Sequence, residues 1–220
     1  MIELKNIKKI YKNGDCKTIA LNGLNLNIEK GEFVAIMGNS GSGKSTLLNI
    51  IGCMDTITSG EYLYNSVEIN KLNKRKIEKY RKENISFVFQ NYSLINEYTV
   101  YENIEVPLLA RNVKKSERKK RINDVIESLD IKDIVNKKTS DISGGQQQRT
   151  AIARAIVANT NIILADEPTG ALDENTSKDI MKLFKKINKQ GYTIIMVTHD
   201  IEMANNADRI IRISDGVIIK

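Results

Sequence analysis

Two cysteines in 220 residues, Cys16 and Cys53, stand in no metal-ligand or redox spacing. That excludes a disulfide framework and reads as two thiols of a reducing compartment. Long apolar runs are missing as well: the longest, such as Thr193-Ile194-Ile195-Met196-Val197, fall well short of the ~18 residues a membrane helix needs. The N-terminal residues form no signal-peptide core, so the expectation is a soluble intracellular protein. Disorder is not indicated, because 41% hydrophobic content suffices for one large core, or one core with a smaller lobe, and a single α/β unit is expected. The 34 Lys+Arg against 27 Asp+Glu leave +7, which raises nucleic acid or an anionic membrane as a partner. The charge is spread along the chain, however. Its densest cluster, Lys114-Lys115 and Arg118-Lys119-Lys120-Arg121, precedes an apolar helical stripe at Ile122, Val125, Ile126 and Leu129 and reads as the solvated side of an amphipathic helix rather than a nucleic-acid patch.

Against that background one stretch stands out. Ile36-Met37-Gly38-Asn39-Ser40-Gly41-Ser42-Gly43-Lys44-Ser45-Thr46 follows an apolar run, Phe33-Val34-Ala35, and opens an apolar helix at Leu47-Leu48-Asn49-Ile50-Ile51. Gly38, four residues, then Gly43-Lys44-Ser45 satisfies G-x-x-x-x-G-K-[ST] between a strand and a helix. The glycines let successive backbone N–H groups converge on phosphate oxygens, and the helix N-terminus adds its dipole. Lys44 is expected on the β- and γ-phosphates and Ser45 on Mg²⁺. A Gly/Ser-rich turn with no phosphate to hold would need neither the lysine nor the hydroxyl.

Ahead of this loop, residues 2–10 and 18–28 are rich in alternating β-branched side chains around a polar turn, Asn13-Gly14-Asp15, so two or three antiparallel strands are expected. Tyr11 ends the first run, and spacing alone makes it a strand-end aromatic packed on the core. Beyond the loop, Ser59-Gly60-Glu61-Tyr62-Leu63-Tyr64 resumes strand character, residues 74–82 read as a polar helix, and Ile85-Ser86-Phe87-Val88-Phe89 is a strand ending on Gln90. From residue 94 to about 140 the pattern is helical, with Thr99 as an N-cap and Pro107 as an interruption. Ser143 then caps a helix running to residue 157, with Gly144 and Gly145 at its mouth. Such a cap either merely starts a helix or bares N–H groups for an anion, and the spacing does not choose.

Asn161-Ile162-Ile163-Leu164-Ala165-Asp166-Glu167-Pro168 is a short apolar strand ending in two carboxylates, which belong at the carboxyl edge of a parallel sheet beside the phosphate loop. Asp166 is assigned to the Mg²⁺ shell and Glu167 to water. Pro168 biases Glu167 toward an extended backbone, so the two side chains should point apart. A helix over 174–189, a strand over 192–197, a short helix to 206 and strands at Arg209–Ser214 and Val217–Ile219 complete an α/β alternation. His199, the one histidine, follows a buried strand; a lone histidine is commonly a structural hydrogen-bonder, and this position is what raises it.

Together these motifs resemble the ATP-binding-cassette ATPases over essentially the whole chain and in the family's order. Ile142-Ser143-Gly144-Gly145-Gln146 is similar to the family's signature motif, with Ile142 where leucine is usual, and ordinary P-loop kinases and GTPases lack it. The resemblance implies an α/β fold: a P-loop NTPase core with a mainly parallel sheet, an N-terminal antiparallel β subdomain and an α-helical signature subdomain at about 94–158, all in one ATPase domain over 1–220. ATP and Mg²⁺ are the implied cofactors. By similarity, Tyr11 would stack on adenine, Gln90 would contact Mg²⁺ and water, Ala171-Leu172-Asp173 would form a dimer-contacting loop beside the nucleotide, and His199 would sense the γ-phosphate. Gly52-Cys53-Met54-Asp55 with Thr58-Ser59-Gly60, Gly144-Gly145-Gln146-Gln147-Gln148-Arg149 and Gly170-Ala171-Leu172-Asp173 resemble the lipoprotein-release, macrolide-export and bacitracin-resistance branch. That branch implies a cytoplasmic ATPase held at the inner face of the membrane by a separate permease. Its cargo is a peptide, lipoprotein or drug, and nothing in the sequence selects among them.

The mechanism so implied rests on positioning and electrostatics, as phosphoryl transfer does generally. Glu167 orients and deprotonates the attacking water. The loop N–H groups, Lys44 and Mg²⁺ on Ser45, Gln90 and Asp166 hold the triphosphate, while Ser143 and Gly145 of a second copy close over it. Two other functions share such a cassette. Nucleic-acid ATPases carry a long coiled coil between phosphate loop and signature, and no heptad array stands there, so no nucleic acid is expected. A regulator that transmits force through a membrane partner to cell-wall enzymes is not separated from a transporter by sequence.

Overall fold

A computed structural model describes residues 1–14 and 16–219, so Asp15 of the expected polar turn lies outside the described residues. In chain order the elements are β1 (Ile2–Asn13), β2 (Cys16–Ile28), β3 (Phe33–Met37), α1 (Lys44–Ile51), β4 (Ser59–Tyr64), β5 (Val67–Glu68), α2 (Lys74–Asn84), β6 (Ile85–Phe89), α3 (Val100–Ala110), α4 (Lys115–Ser128), α5 (Gly144–Ile156), β7 (Ile162–Asp166), α6 (Glu174–Asn188), β8 (Thr193–Val197), α7 (Ile201–Ala204), β9 (Arg209–Ser214) and β10 (Val217–Ile219). No helix among them is long and apolar enough to cross a membrane.

Continuous apolar runs make the central strands, because both faces of their sheet are covered. The larger sheet has six strands in the order β10-β9-β3-β8-β7-β6. All its pairings are parallel except β10 with β9. Side-chain alternation splits each central strand between two cores. Phe33, Ala35, Ile163, Ala165, Ile194 and Met196 face the helical layer containing α3, α4, α5 and α6. Val34, Ile36, Ile162, Leu164, Ile195 and Val197 face α1 and the second sheet. Each large side chain fully buried this way contributes roughly 1.5–3 kcal/mol, so a one-residue slip of register would exchange the two cores.

The second sheet is antiparallel and four-stranded, in the order β2-β1-β4-β5. It therefore draws strands from both sides of α1: the segment ahead of the phosphate loop supplies two, within the two or three expected there, and the strand expected at 59–64 joins them with the short β5. β1 also runs past Tyr11, which pairs with Thr18, and the ring is 42% exposed rather than packed on the core. Pro107 does not interrupt its helix. α3 continues through it to Ala110, held by the Thr99/Glu102 capping box and by burial of Val100, Ile104 and Leu108, which together outweigh the ~3 kcal/mol penalty of an interior proline.

Candidate active site

The register of the larger sheet brings four strand ends to one edge. Ile36 lies opposite Val197, Val197 opposite Asp166, and Asp166 opposite Phe89. The residues that follow these positions are the phosphate loop, Thr198-His199, Glu167 and Gln90. Three of these segments converge on one cavity of about 900 Å³, lined by Gly38, Asn39, Ser40, Gly41, Gly43, Lys44, Ser45 and Thr46, with Glu167, His199 and Tyr11 around them. Ser42 is buried within the loop itself.

The loop is shaped by its N-cap. Gly43 sits at φ 101, a Cβ there would overlap the Ala20 carbonyl, and no side chain caps α1. Because the intrahelical ladder begins with Leu47 N–H on Gly43, the N–H groups of Lys44, Ser45 and Thr46 precede it and add to the positive end of the helix. Lys44, 8% exposed, folds into the loop and donates to the carbonyls of Gly38 and Asn39, 2.8 Å each. The result is a compact cradle of positive potential.

The acids stand at the next strand but one. Burial raises the Asp166 carboxyl above its usual range, the charge of Glu167 adds to this, and Lys44 works the other way. Glu167 departs from the extended backbone expected before Pro168. Its φ is 44, with its N–H donated to Val197 at 2.9 Å and its carbonyl accepting from Gly170 at 3.0 Å. The restriction before proline chiefly disfavours the right-handed helical region, and these two bonds select a left-handed turn instead. His199 Nδ1 lies 3.0 Å from Glu167 Oε1. A carboxylate oxygen accepts, so this contact puts the ring proton on Nδ1. Gln90 lies over Gly170, where an added Cβ would come within 2.8 Å of its Nε2.

The remaining expected residues are elsewhere. Ser143, Gly144, Gly145, Gln146 and Asp173 do not line the cavity of their own chain. Ser143 caps α5 as expected, but it does not leave the mouth bare. Its N–H donates to Gln146 Oε1 at 3.0 Å while its Oγ accepts from Gln146 N–H at 3.4 Å, a capping box that uses two donors. Asp173 caps α6, accepting from Thr176 N–H and Oγ–H at 3.0 and 2.6 Å.

Sequence reasoning missed two residues at or beside the site. Arg212 lines the cavity because β9 pairs with β3, setting Arg212 opposite Met37. Wholly buried Gln148 of α5 donates to the Pro168 carbonyl at 2.6 Å, tying the signature helix to the turn that carries Glu167. No local pattern announces either contact.

Of the three expected magnesium ligands, Ser45 lines the cavity, whereas Gln90 and Asp166 are not among its lining residues. Among the described residues no three His, Cys, Asp or Glu form a metal cluster. A hydroxyl, an amide and one carboxylate, from Ser45, Gln90 and Asp166, match an ion that takes the rest of its shell from phosphate and water.

Residues 21–170 match the family described as ABC transporter. The chain is 47% identical over 219 residues to the macrolide export ATP-binding/permease protein MacB of Brucella melitensis, covering 100% of this chain and 34% of that protein, about a third of its length. It is 48% identical over 223 residues to the uncharacterized ABC transporter ATP-binding protein MJ0796 of Methanocaldococcus jannaschii, covering 99% and 95% of the two. The dimeric structure of MJ0796 in a post-hydrolysis state bound to ADP and Pi matches with a TM-score of 0.91 and 46% identity, over 100% of this chain and 97% of that one.

Proposed function

The chain belongs to the ABC transporter family as an ATP-binding cassette, and from that premise we propose that it hydrolyses MgATP to drive a membrane permease that exports or extracts a peptide, lipoprotein or drug. One observation carries the reading most: the Lys44 cradle and the Glu167–His199 pair share one cavity on the carboxyl edge of adjacent parallel strands. Lys44 gives up the carbonyls of Gly38 and Asn39 for the β- and γ-phosphates, and the N–H groups at the start of α1 take the remaining oxygens. Glu167, already aimed by its left-handed turn, accepts a proton from the water that attacks the γ-phosphorus. His199 meets the γ-phosphate from the same cavity. Tyr11 covers the base. A Mg²⁺ ion held by Ser45, Asp166 and Gln90 would neutralise charge on the phosphate oxygens.

Ser143 and Gly145 of a second copy complete each site in this reading, so the working unit is a head-to-tail pair with two-fold symmetry. In this reading the permease is a separate chain. The cassette would then sit at the inner membrane face, as one ATPase domain whose helical part spans about 94–158. The test is phosphate release by the purified chain. Turnover abolished by EDTA is expected, and turnover indifferent to metal removal would overturn the mechanism. Recovery of an export permease as its membrane partner would support the transport role, and a partner that activates cell-wall enzymes would replace it.

A further inference from the structure

Tyr11 is exposed near the end of β1, yet its hydroxyl is tethered. Its hydroxyl donates to Asp55 Oδ2 at 2.7 Å and lies 3.5 Å from Thr46 Oγ1 of the phosphate loop. Two residues earlier on β1, Lys9 is only 8% exposed, and its ammonium sits 4.7 Å from the centre of the Tyr11 ring. That ammonium also donates to Asp55 Oδ1 at 2.6 Å and to the Thr56 carbonyl at 2.7 Å. Two of its three protons are thus used by oxygen, and the ring faces the third side.

Asp55 is equally committed. Oδ1 accepts from Lys9 and from Thr56 N–H at 2.7 Å, and Oδ2 accepts from Tyr11. Burial works against this carboxylate, but the bonds from Lys9 and Tyr11 outweigh it and hold the group below its ordinary range. The backbone around it is anchored at both ends. Met54 and Asp55 N–H groups donate to Asn49 of α1, while Thr58 N–H donates to Lys8 and Thr58 Oγ1 accepts from Ile10 N–H. The loop that holds the tyrosine is therefore fixed to the helix whose other end is the phosphate cradle, and to the strand that carries the ring.

We propose that Lys9 and Asp55 are positioning residues that lock Tyr11 in advance as the stacking platform for a nucleotide base, one ring face held by the Lys9 ammonium and the other left to the base. This rests on the reading of the cavity as a nucleotide site with Tyr11 at its base. A free tyrosine would surrender rotamer freedom each time a nucleotide bound, whereas a locked one has already done so, and affinity gains the difference. The cluster touches neither Glu167 nor His199 and meets the phosphate loop through the long 3.5 Å contact of the Tyr11 hydroxyl with Thr46 Oγ1, so its main action is on recognition of the base.

The experiment compares two displacing ligands against a fluorescent ATP analogue: ATP, which has a base, and inorganic tripolyphosphate, which has none. Tyr11→Phe keeps the ring and removes the hydroxyl link. The paired change Lys9→Met with Asp55→Leu removes both charges together, so that no buried ion is left without its partner. Each is expected to weaken ATP about 3- to 10-fold, the scale of ordering one side chain, while tripolyphosphate stays within about twofold. Combining all three changes should weaken ATP no further than either alone, because both act through one link. Wild-type ATP affinity in Tyr11→Phe and in the paired variant, alongside a loss in Tyr11→Ala, would overturn the positioning role and leave the nucleotide reading intact. Equal weakening of ATP and tripolyphosphate would also overturn it, since the effect would then run through the phosphate loop. Unchanged ATP affinity in Tyr11→Ala would remove the stacking role itself, and this proposal with it.

Discussion

Two helix N-termini in this chain carry glycines at their mouths, and they are finished in opposite ways. At α1 the N-cap is Gly43 at φ 101 with no side-chain cap, and the helix opens onto a cavity of about 900 Å³ beside Lys44. At α5, Ser143 and Gln146 cap each other, while a Cβ on Gly145 would come within 2.7 Å of Thr176 Cγ2. The first mouth is left unsatisfied by its own chain, as an anion site must be. The second is partly closed by its own capping box, and close packing against α6 already accounts for the glycine at Gly145. In the proposed two-copy site this mouth serves the phosphate as a lid brought by the other copy, since Ser143 and Gly145 do not line the cavity of their own chain.

The largest expected effect separates the two mouths outright. Lys44→Ala should weaken ATP by at least about 10²-fold, the scale of losing a charged partner from a desolvated contact, whereas Ser143→Arg should bind ATP as wild type does. Titration with a fluorescent ATP analogue reads both, and equal losses in the two variants would erase the distinction. Next comes Glu167→Gln, which keeps size and hydrogen bonding. Nucleotide should still bind while turnover falls about 10²-fold or more, as for loss of a general base. Ser143→Arg should abolish turnover by its own homodimer, and mixing it with inactive Lys44→Ala chains should restore some phosphate release, because one site of each mixed pair holds Lys44 from one chain and Ser143 from the other. No recovery at any mixing ratio would count against sites shared in this way. The smallest effect belongs to Asp173→Ala. Loss of the α6 cap should lower Tm by about 2–4 °C in a thermal melt, with single-chain ATP affinity unchanged.

What could be read from sequence was whatever depends on neighbours along the chain. The phosphate loop, the Thr99 and Ser143 caps and the strands Ser59–Tyr64, Ile85–Phe89, Arg209–Ser214 and Val217–Ile219 all lie where periodicity and cap chemistry put them. What escaped depends on pairing between distant segments. Glu167 takes its left-handed turn because Val197 accepts its N–H, and Tyr11 stands exposed because Asp55 and Lys9 hold it there. Gln148 reaches Pro168 only because α5 packs near the end of β7. The same distinction explains the second mouth: spacing left Ser143-Gly144-Gly145 open between a plain helix start and an anion site, and the Gln146 side chain closes part of it.

The shared-site account is tested most directly by the rate of ATP hydrolysis at saturating MgATP as the wild-type chain is diluted. If each site takes Lys44 from one copy and Ser143 from another, the rate in the dilute range should rise with the square of protein concentration. A rate that followed the first power down to the lowest concentrations, from a chain that light scattering shows to be monomeric, would contradict it.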